Sequence, residues 1–415
     1  MEIVRLAWKS LLNRRGSAAL TILSIAISVM LLLGVDQIRS QVRDSFTSTV
    51  SGTDLIVGAR SGQTQLLLYS VFHIGNATNN VDWQSYREIA AHPQVDWTIP
   101  LSLGDSHRGF RVVGTSDAFF EHYRYGRGQR PGFRHGGAFA GLHDAVIGAE
   151  VAERLGYGLG QTMVIAHGLG STSFANHDDQ PFRVVGVLER TGTPLDRSVL
   201  VSLEAIEAIH AGWASGTRLP GRPAPAAEDL TPKQITAFLV GLKSKVATFR
   251  LQRAINDYRK EPLLAILPGV ALAELWSLMS VAERALLLVS ACVVFSGLAG
   301  MLTVLLAGLR ERRREIAILR SVGARPWQLL SLLTSEAALL TLCGCLAGMA
   351  LMYSGLWAAR PLVEQWSGLR LELLAPNAHQ WLLLALVQGA GILIGLVPGW
   401  RAYRYSLAEG MTIRL

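Results

Sequence analysis

The sequence predicts an α-helical membrane protein with four transmembrane helices and a large α+β extracytoplasmic domain inserted between helices 1 and 2. Three observations carry this reading. The 415 residues are 50% hydrophobic and 17% charged, with a mean hydropathy of +0.30. That is too apolar for an ordinary soluble enzyme and too charged for a chain made only of membrane helices. Four runs, Ser17 to Val35, Ala285 to Leu309, Trp327 to Ala358 and Trp381 to Pro398, reach the roughly 20 apolar residues that cross about 30 Å of hydrocarbon. Between the second and third runs lies a dense basic cluster, Arg310 to Arg325, which neither neighbour would tolerate inside a bilayer.

Taken in order, residues 1–16 form an amphipathic N-terminal segment and 17–36 the first span. Arg14 and Arg15 precede this run as they would in a signal peptide, but it is long for one and Val35-Asp36-Gln37 offers no small-residue cleavage site. A retained anchor is expected. Residues 37–283 form the inserted domain, with enough chain for a core of its own. Residues 284–309 make the second span, led out by an apolar stalk from Ala265 to Leu278. Then follow the connection 310–326, the third span 327–358, a short outer loop 359–380, the fourth span 381–400 and a tail 401–415.

Lys and Arg in the short flanks set the orientation. Arg5, Lys9, Arg14 and Arg15 precede the first span, six arginines sit between the second and third, and Arg401, Arg404 and Arg414 follow the fourth. All three clusters are expected inside, placing both termini in the cytoplasm. Topology thereby accounts for most of the net charge of +8, and nucleic-acid binding is unnecessary as an explanation.

In the inserted domain, short β-branched runs predict strands at 54–58, 110–114, 145–148, 162–166 and 182–187. Helical spacing predicts helices at 83–91, 149–155, 203–210 and 235–258. The domain is expected in two lobes, with the Pro- and Ala-rich Thr217 to Pro232 as a surface loop or hinge. Leu66 to Ile74 reads either as a core strand or as an apolar face that meets lipid or a partner. The ten histidines all fall outside by this topology. His122, His135 and His143 lie in a Gly- and Arg-rich stretch expected to be a loose loop. No HExxH or i, i+4 pair marks a metal site, and no GxSxG elbow marks a hydrolase. Cys292, Cys343 and Cys345 sit within spans, so the inserted domain folds without disulfides; Cys343 and Cys345 point to different helix faces and read as apolar filler.

Within 310–326, Ile316, Leu319, Arg320 and Gly323 follow an i, i+3, i+4, i+7 pattern, with Arg313, Arg314 and Ala317 facing elsewhere. This is a short amphipathic helix, C-capped by Gly323, with Pro326 preventing it from running on. Such a helix fits a partner's groove or an anionic lipid surface; the plainer alternative is a stop-transfer charge cluster. Glu336 is the one ionisable residue well inside a span, and a carboxylate there needs a partner or water. Two readings stay open: a hydrogen-bonded clamp near the cytoplasmic side, or a residue near enough to the interface to stay wet.

These residues carry a resemblance. Arg313-Arg314-Glu315-Ile316-Ala317-Ile318-Leu319-Arg320-Ser321-Val322-Gly323-Ala324 resembles the R-R-E-I-x-I-L-R-x-x-G-A signature of FtsX-like permeases. These are the membrane subunits of the type VII ABC transporters that include MacB and the lipoprotein-releasing LolC and LolE. The ending around Pro398, Arg401 and Ala402 resembles that family's P-x-x-R-A motif, and Leu6 to Leu33 its opening. Ala145 to Thr162 is similar to a V-I-G-x-x-x-A-x-x-L-G-x-x-x-G-D-T stretch, with Gln161 in place of the Asp.

The resemblance implies a multi-pass permease of the bacterial inner membrane that does no chemistry itself. It would bind no cofactor or metal, and a separate cytoplasmic ABC ATPase would use ATP and Mg. No GxxxxGK[ST] loop occurs in these residues. Coupling to the ATPase would fall to Arg313, Arg314, Glu315, Ile316, Leu319, Arg320, Gly323 and Ala324. Further implied partners are a second permease, membrane lipids and a periplasmic adaptor, lipoprotein or hydrolase. Expected work is export or extraction of a lipid, lipoprotein or other amphipathic substrate. The alternatives are an FtsX-like signal relay to a cell-wall hydrolase and a membrane-anchored sensor without an ATPase.

Overall fold

The computed structural model describes residues 2–168, 180–211, 213–214, 217–218, 230–311, 313–367 and 373–404. Val42–Met279 forms one compact unit; residues up to Gln41, Ser280–Gln365 and the last helix belong to another. The chain opens with α1 (Glu2–Asn13) and α2 (Arg15–Ser48). Then come β1 (Leu55–Ala59), α3 (Gln63–Val71), β2 (Val81–Asp82), α4 (Trp83–Ala90), β3 (Val95–His107), β4 (Phe110–Thr115), α5 (Ala118–His122) and β5 (Phe133–Gly136). Next are β6 (Asp144–Ile147), α6 (Ala149–Leu155), β7 (Thr162–Met163), β8 (Ala166–His167), β9 (Phe182–Leu188), β10 (Ser198–Ser202), α7 (Leu203–His210), β11 (Trp213–Ala214) and β12 (Thr217–Arg218). β13 (Gln234–Ile235), β14 (Ala237–Leu242), α8 (Thr248–Asn256) and β15 (Leu263–Ile266) complete the inserted domain. Last come α9 (Pro268–Glu311), α10 (Arg313–Ser321), α11 (Pro326–Ser367) and α12 (Ala378–Arg404).

The inserted domain is built on one mixed sheet in the order β15-β1-β14-β3-β4-β10-β6-β9-β5. The long β3 pairs with β14 through its first half and β4 through its second, so the expected lobes share one sheet. β10 runs parallel to β4, and β6 parallel to β9. All five predicted strands are present, that at 162–166 divided between β7 and β8. α4, α6 and α7 fall where the helical spacing put them, α6 closed by Gly156 in the left-handed region at φ 67°. Gly148 precedes α6 because a Cβ there would strike the Leu195 carbonyl.

Three expectations need correction. Residues 235–258 are not one helix: β13 and β14 occupy its first half, and only Thr248–Asn256 is helical. Ile235, Phe238, Val240, Leu251 and Ile255 share one buried cluster, so an apolar spacing that suited a helix is satisfied by alternation along a strand followed by a short amphipathic helix. Leu66 to Ile74 is not a strand: α3 buries Leu66, Leu67 and Tyr69 in the largest core cluster. A short apolar run does not by itself tell a buried helix from a buried strand. His122 and His135 lie in α5 and β5 rather than in a loose loop. Most of the Pro- and Ala-rich stretch, residues 219–229, lies outside the described residues.

Four helices are long and apolar enough to cross a membrane: Arg15–Arg43, Pro268–Leu309, Pro326–Leu362 and Ala378–Arg404. α2, α9 and α11 all run past their apolar spans, since nothing in their sequence stops them at the hydrocarbon edge. Exposed Trp381 and Trp400 stand near the two ends of α12. Their separation is about 28 Å at 1.5 Å per residue, the thickness of the hydrocarbon core between aromatic belts.

Glycines let the helices approach. Gly391, Gly395 and Gly399 face Thr341, Ala337 and Leu330 of α11 so closely that a Cβ would collide at each. Gly344 and Gly348 receive Ile25, Ala26 and Val29 of α2, and Gly297 receives Ser24 and Ser28. Ser28 also hydrogen-bonds the Val293 carbonyl at 3.2 Å. Gly395→Ala should therefore cost about 1–3 kcal/mol through overpacking. Gly389→Ala, with nothing within 4 Å of the new Cβ, should be neutral or stabilising by up to about 1 kcal/mol. Thermal unfolding in detergent compares the two.

In the inserted domain His73 adopts φ 55° and its Nδ1 lies 3.0 Å from the Ser198 hydroxyl, which itself donates to the Pro194 carbonyl. The hydroxyl is therefore the acceptor and His73 carries its proton on Nδ1. Arg111 donates to the carbonyls of His73 and Gly75 and to Asn76 Oδ1. Lost solvation, then the Arg111 charge, lowers His73 from 6.5 to about 4; the exposed part of the half-buried residue limits the effect on stability. Burial displaces His107 in the same direction. Between about pH 6.5 and 4 the unfolded chain binds protons that folded His73 does not, so stability falls as pH drops through that window. His73→Asn, which tolerates positive φ, should make that fall shallower, as read by denaturant unfolding at pH 7 and pH 5.

Candidate functional site

α10 is nine residues long and lies between the ends of α9 and α11. Gly323, at φ 104°, turns the chain after it, and its N–H donates to the Arg320 carbonyl at 3.1 Å. Ala324 is half-buried in the turn. The next helix begins at Pro326, where the Gln328 side chain accepts from the Arg325 N–H at 2.9 Å. A nine-residue helix has too few hydrogen bonds to hold itself; packing must supply the rest.

That packing comes from one cluster. Ile316, 8% exposed, meets Leu309 of α9, Leu329 and Leu333 of α11 and Ala402 of α12. The structure thus brings Ile316 of the amphipathic motif together with Ala402 of the C-terminal motif. Pro398 is buried on the same seam of α12, while Arg401 points outward. Ala317, expected to face elsewhere, is as buried as Ile316. Ile318 on the outward side of α10 is 55% exposed, and Val322, in the turn that follows it, is 83% exposed. Arg320 is half-buried and engaged in a polar or electrostatic contact. The side chains of Arg313, Arg314, Glu315 and Leu319 lie outside the described residues.

Glu336 is 3% exposed. It lines a cavity of about 40 Å³ with Ser10 and Arg14 among its polar neighbours, room for about one water. Gly308 makes space there, since a Cβ would come within 2.6 Å of an Arg14 guanidinium nitrogen. Ser10, Arg14 and Glu336 are each engaged in a polar or electrostatic contact. The carboxylate is therefore enclosed beside an arginine of the first basic cluster.

At the opposite end of the bundle a polar group escaped the sequence reading. Gln37 and Gln380, both buried, are joined by a 2.6 Å hydrogen bond between α2 and α12. Asp36, 1% exposed, lies 3.7 Å from both Arg39 and His379, and Arg39 reaches Glu283 at 3.8 Å. Polar residues at span ends are visible in the sequence, but nothing in it pairs positions so far apart. Among the described residues no group of three or more His, Cys, Asp or Glu could hold a metal ion.

Ile316→Ala should remove about 2–4 kcal/mol of packing and free α10, read as faster tryptic cleavage at Arg320. Ile318→Ala should leave the cleavage rate unchanged.

Comparison with known families places two models on this chain. The MacB-like periplasmic core domain matches residues 18–258, and the FtsX-like permease C-terminal domain matches 287–407. The pyoverdine export ATP-binding/permease protein PvdT of Pseudomonas savastanoi pv. phaseolicola is 25% identical over 99% of this chain. PvdT of Pseudomonas aeruginosa is 26% identical over 85% of it. The chain spans 59% of the first of these relatives and 50% of the second. Among solved structures, the periplasmic region of MacB from Actinobacillus actinomycetemcomitans aligns with 54% of this chain and 92% of its own, at 11% identity and a TM-score of 0.34. The extracellular domain of the noncanonic ABC-type transporter YknZ from Gram-positive bacteria covers 52% of this chain and 99% of its own, at 13% identity and a TM-score of 0.31.

Proposed function

The chain belongs to the MacB-type, FtsX-like permeases of ABC transporters, and on that premise we propose that it couples ATP hydrolysis in a separate cytoplasmic ATPase to movement of its inserted domain. The work so driven is export or extraction of a lipid, lipoprotein or other amphipathic substrate. The chain contributes no catalytic group; ATP and Mg belong to the ATPase. The α10 end faces the cytoplasm together with both termini, and the inserted domain lies outside, where it meets a periplasmic adaptor or cargo. A second permease completes the complex.

One observation carries the coupling: α10 is packed on its inner side through Ile316 and Ala317, while Ile318 on its outer side and Val322 in the turn after it are bare. An apolar pair on a short helix and its closing turn, with Arg313 and Arg314 a turn before Ile318 in sequence, suits a partner groove with an acidic margin. A stop-transfer cluster needs positive charge alone and has no use for two exposed apolar residues. The export role in the relatives' names supports an outward direction of transport.

Gently solubilised, tagged protein from its native membrane should copurify with a stoichiometric ABC ATPase. Arg313→Glu with Arg314→Glu, and separately Ile318→Asp with Val322→Asp, should each reduce that ATPase about tenfold or more while the protein stays inserted. Full retention of ATPase and transport in both variants would falsify the coupling role of α10.

A further inference from the structure

The N-terminal helix α1 has two faces of different character. Ala7 is fully buried, with Ile3, Ser10 and Leu11 half-buried beside it. Ser10 and Leu11 line the same cavity as Glu336. On the other side, Arg5, Lys9 and Asn13 are exposed at i, i+4, i+8 and make one polar stripe. Trp8 and Leu12 flank the stripe on one edge and Leu6 on the other, each about half exposed. At twelve residues, such a helix is marginal in water without something to pack against.

Its position fixes what that something is. Backbone hydrogen bonds from Arg14 N–H to the Leu11 carbonyl and from Ala18 N–H to the Arg14 carbonyl carry the chain directly from α1 into the first membrane-crossing helix. Leu12 stands three residues before that span begins. α1 therefore ends within a turn of the first apolar span. We propose that the outer face of α1 is an anionic-lipid site: Trp8 and Leu12 sink to the acyl boundary while Arg5 and Lys9, beside them on the helix, take lipid phosphates.

Charge selects this occupant. A second copy docked by two-fold symmetry would bring Arg5 and Lys9 against their own kind. A water-soluble partner gains little from apolar residues placed at the level of the acyl boundary. An anionic leaflet satisfies both the apolar flanks and the basic stripe. Because the inner face of α1 borders the Glu336 cavity, lipid attraction on the outer face draws the helix away from that cavity, and the lipid composition of the leaflet becomes an input to the bundle. The inference is independent of any role of α10.

The test uses the full chain in nanodiscs of phosphatidylcholine alone or with phosphatidylglycerol, followed by hydrogen–deuterium exchange. Residues 2–13 should exchange at least about fivefold more slowly with phosphatidylglycerol, and added salt should weaken the effect. Arg5→Gln with Lys9→Gln should abolish the lipid dependence while exchange in α12, the control for an intact fold, stays unchanged. Equal exchange in the two lipids would overturn the proposal, as would an undiminished lipid dependence in the double variant. Protection that appears only when an ATPase subunit is added would assign the face to protein instead.

Discussion

Lipid is as apolar as leucine, so helices inside a bilayer gain little by hiding leucines from their surroundings, and their association rests on close approach and a few polar bonds. Every other feature of the membrane unit depends on that constraint. Where a side chain is missing, at Gly391, Gly395 and Gly399 or at Gly344 and Gly348, a neighbouring backbone or side chain fills the place. These contacts fix the helices against sliding as well as separation, because each glycine receives particular residues of its neighbour. The Gln37–Gln380 bond and the donation from Gln388 to the Ala338 carbonyl add directional ties between the same helices.

With α11 and α12 held at a fixed height, their ends at Leu329, Leu333 and Ala402 meet Leu309 of α9 and leave a recess of the shape Ile316 fills. The order of α10 is borrowed from three other helices. The resemblance of the C-terminal P-x-x-R-A motif and of the R-R-E-I motif to family signatures then has one spatial explanation at Ile316 and Ala402, which share a cluster although they lie at opposite ends of the last two spans.

Most of this fold was legible in the sequence, for physical reasons that differ by region. A span announces itself by length and lack of charge, so all four were visible; their helical extensions beyond the hydrocarbon were not, since helix propensity there carries no comparable signal. In the inserted domain, strands closed by glycine and helices with a clear polar face were readable, as at Phe110–Thr115 and Leu203–His210. α3 and β14 were misread because β14 and the part of α3 from Leu66 onward are buried on nearly every side, and a short run surrounded by core leaves little periodicity to distinguish the two. At the site, the amphipathic pattern found Ile316 but assigned Ala317 outward and overlooked the exposed pair at Ile318 and Val322. A nine-residue helix completes too few turns for its pattern to fix which edge is covered. The polar group at Asp36, Gln37 and Gln380 depends on contacts across almost the whole chain, which no local spacing records.

Under the proposed coupling, the borrowed order of α10 decides how a push would travel. A partner gripping Ile318 and Val322 cannot move α10 alone, because Ile316 ties it to the ends of α9, α11 and α12 at once. Of these, α9 is the one that continues without a break from Pro268 to Glu311, with proline only at its first position. α11 instead carries Pro361 inside its far end, a place where a helix loses a hydrogen bond and bends. Displacement shared equally at the α10 end would therefore be absorbed partly along α11 and carried with less loss along α9. The uninterrupted helix is also the one that begins two residues after β15, an edge strand of the inserted sheet, so chain connectivity alone gives the motion a route into that sheet.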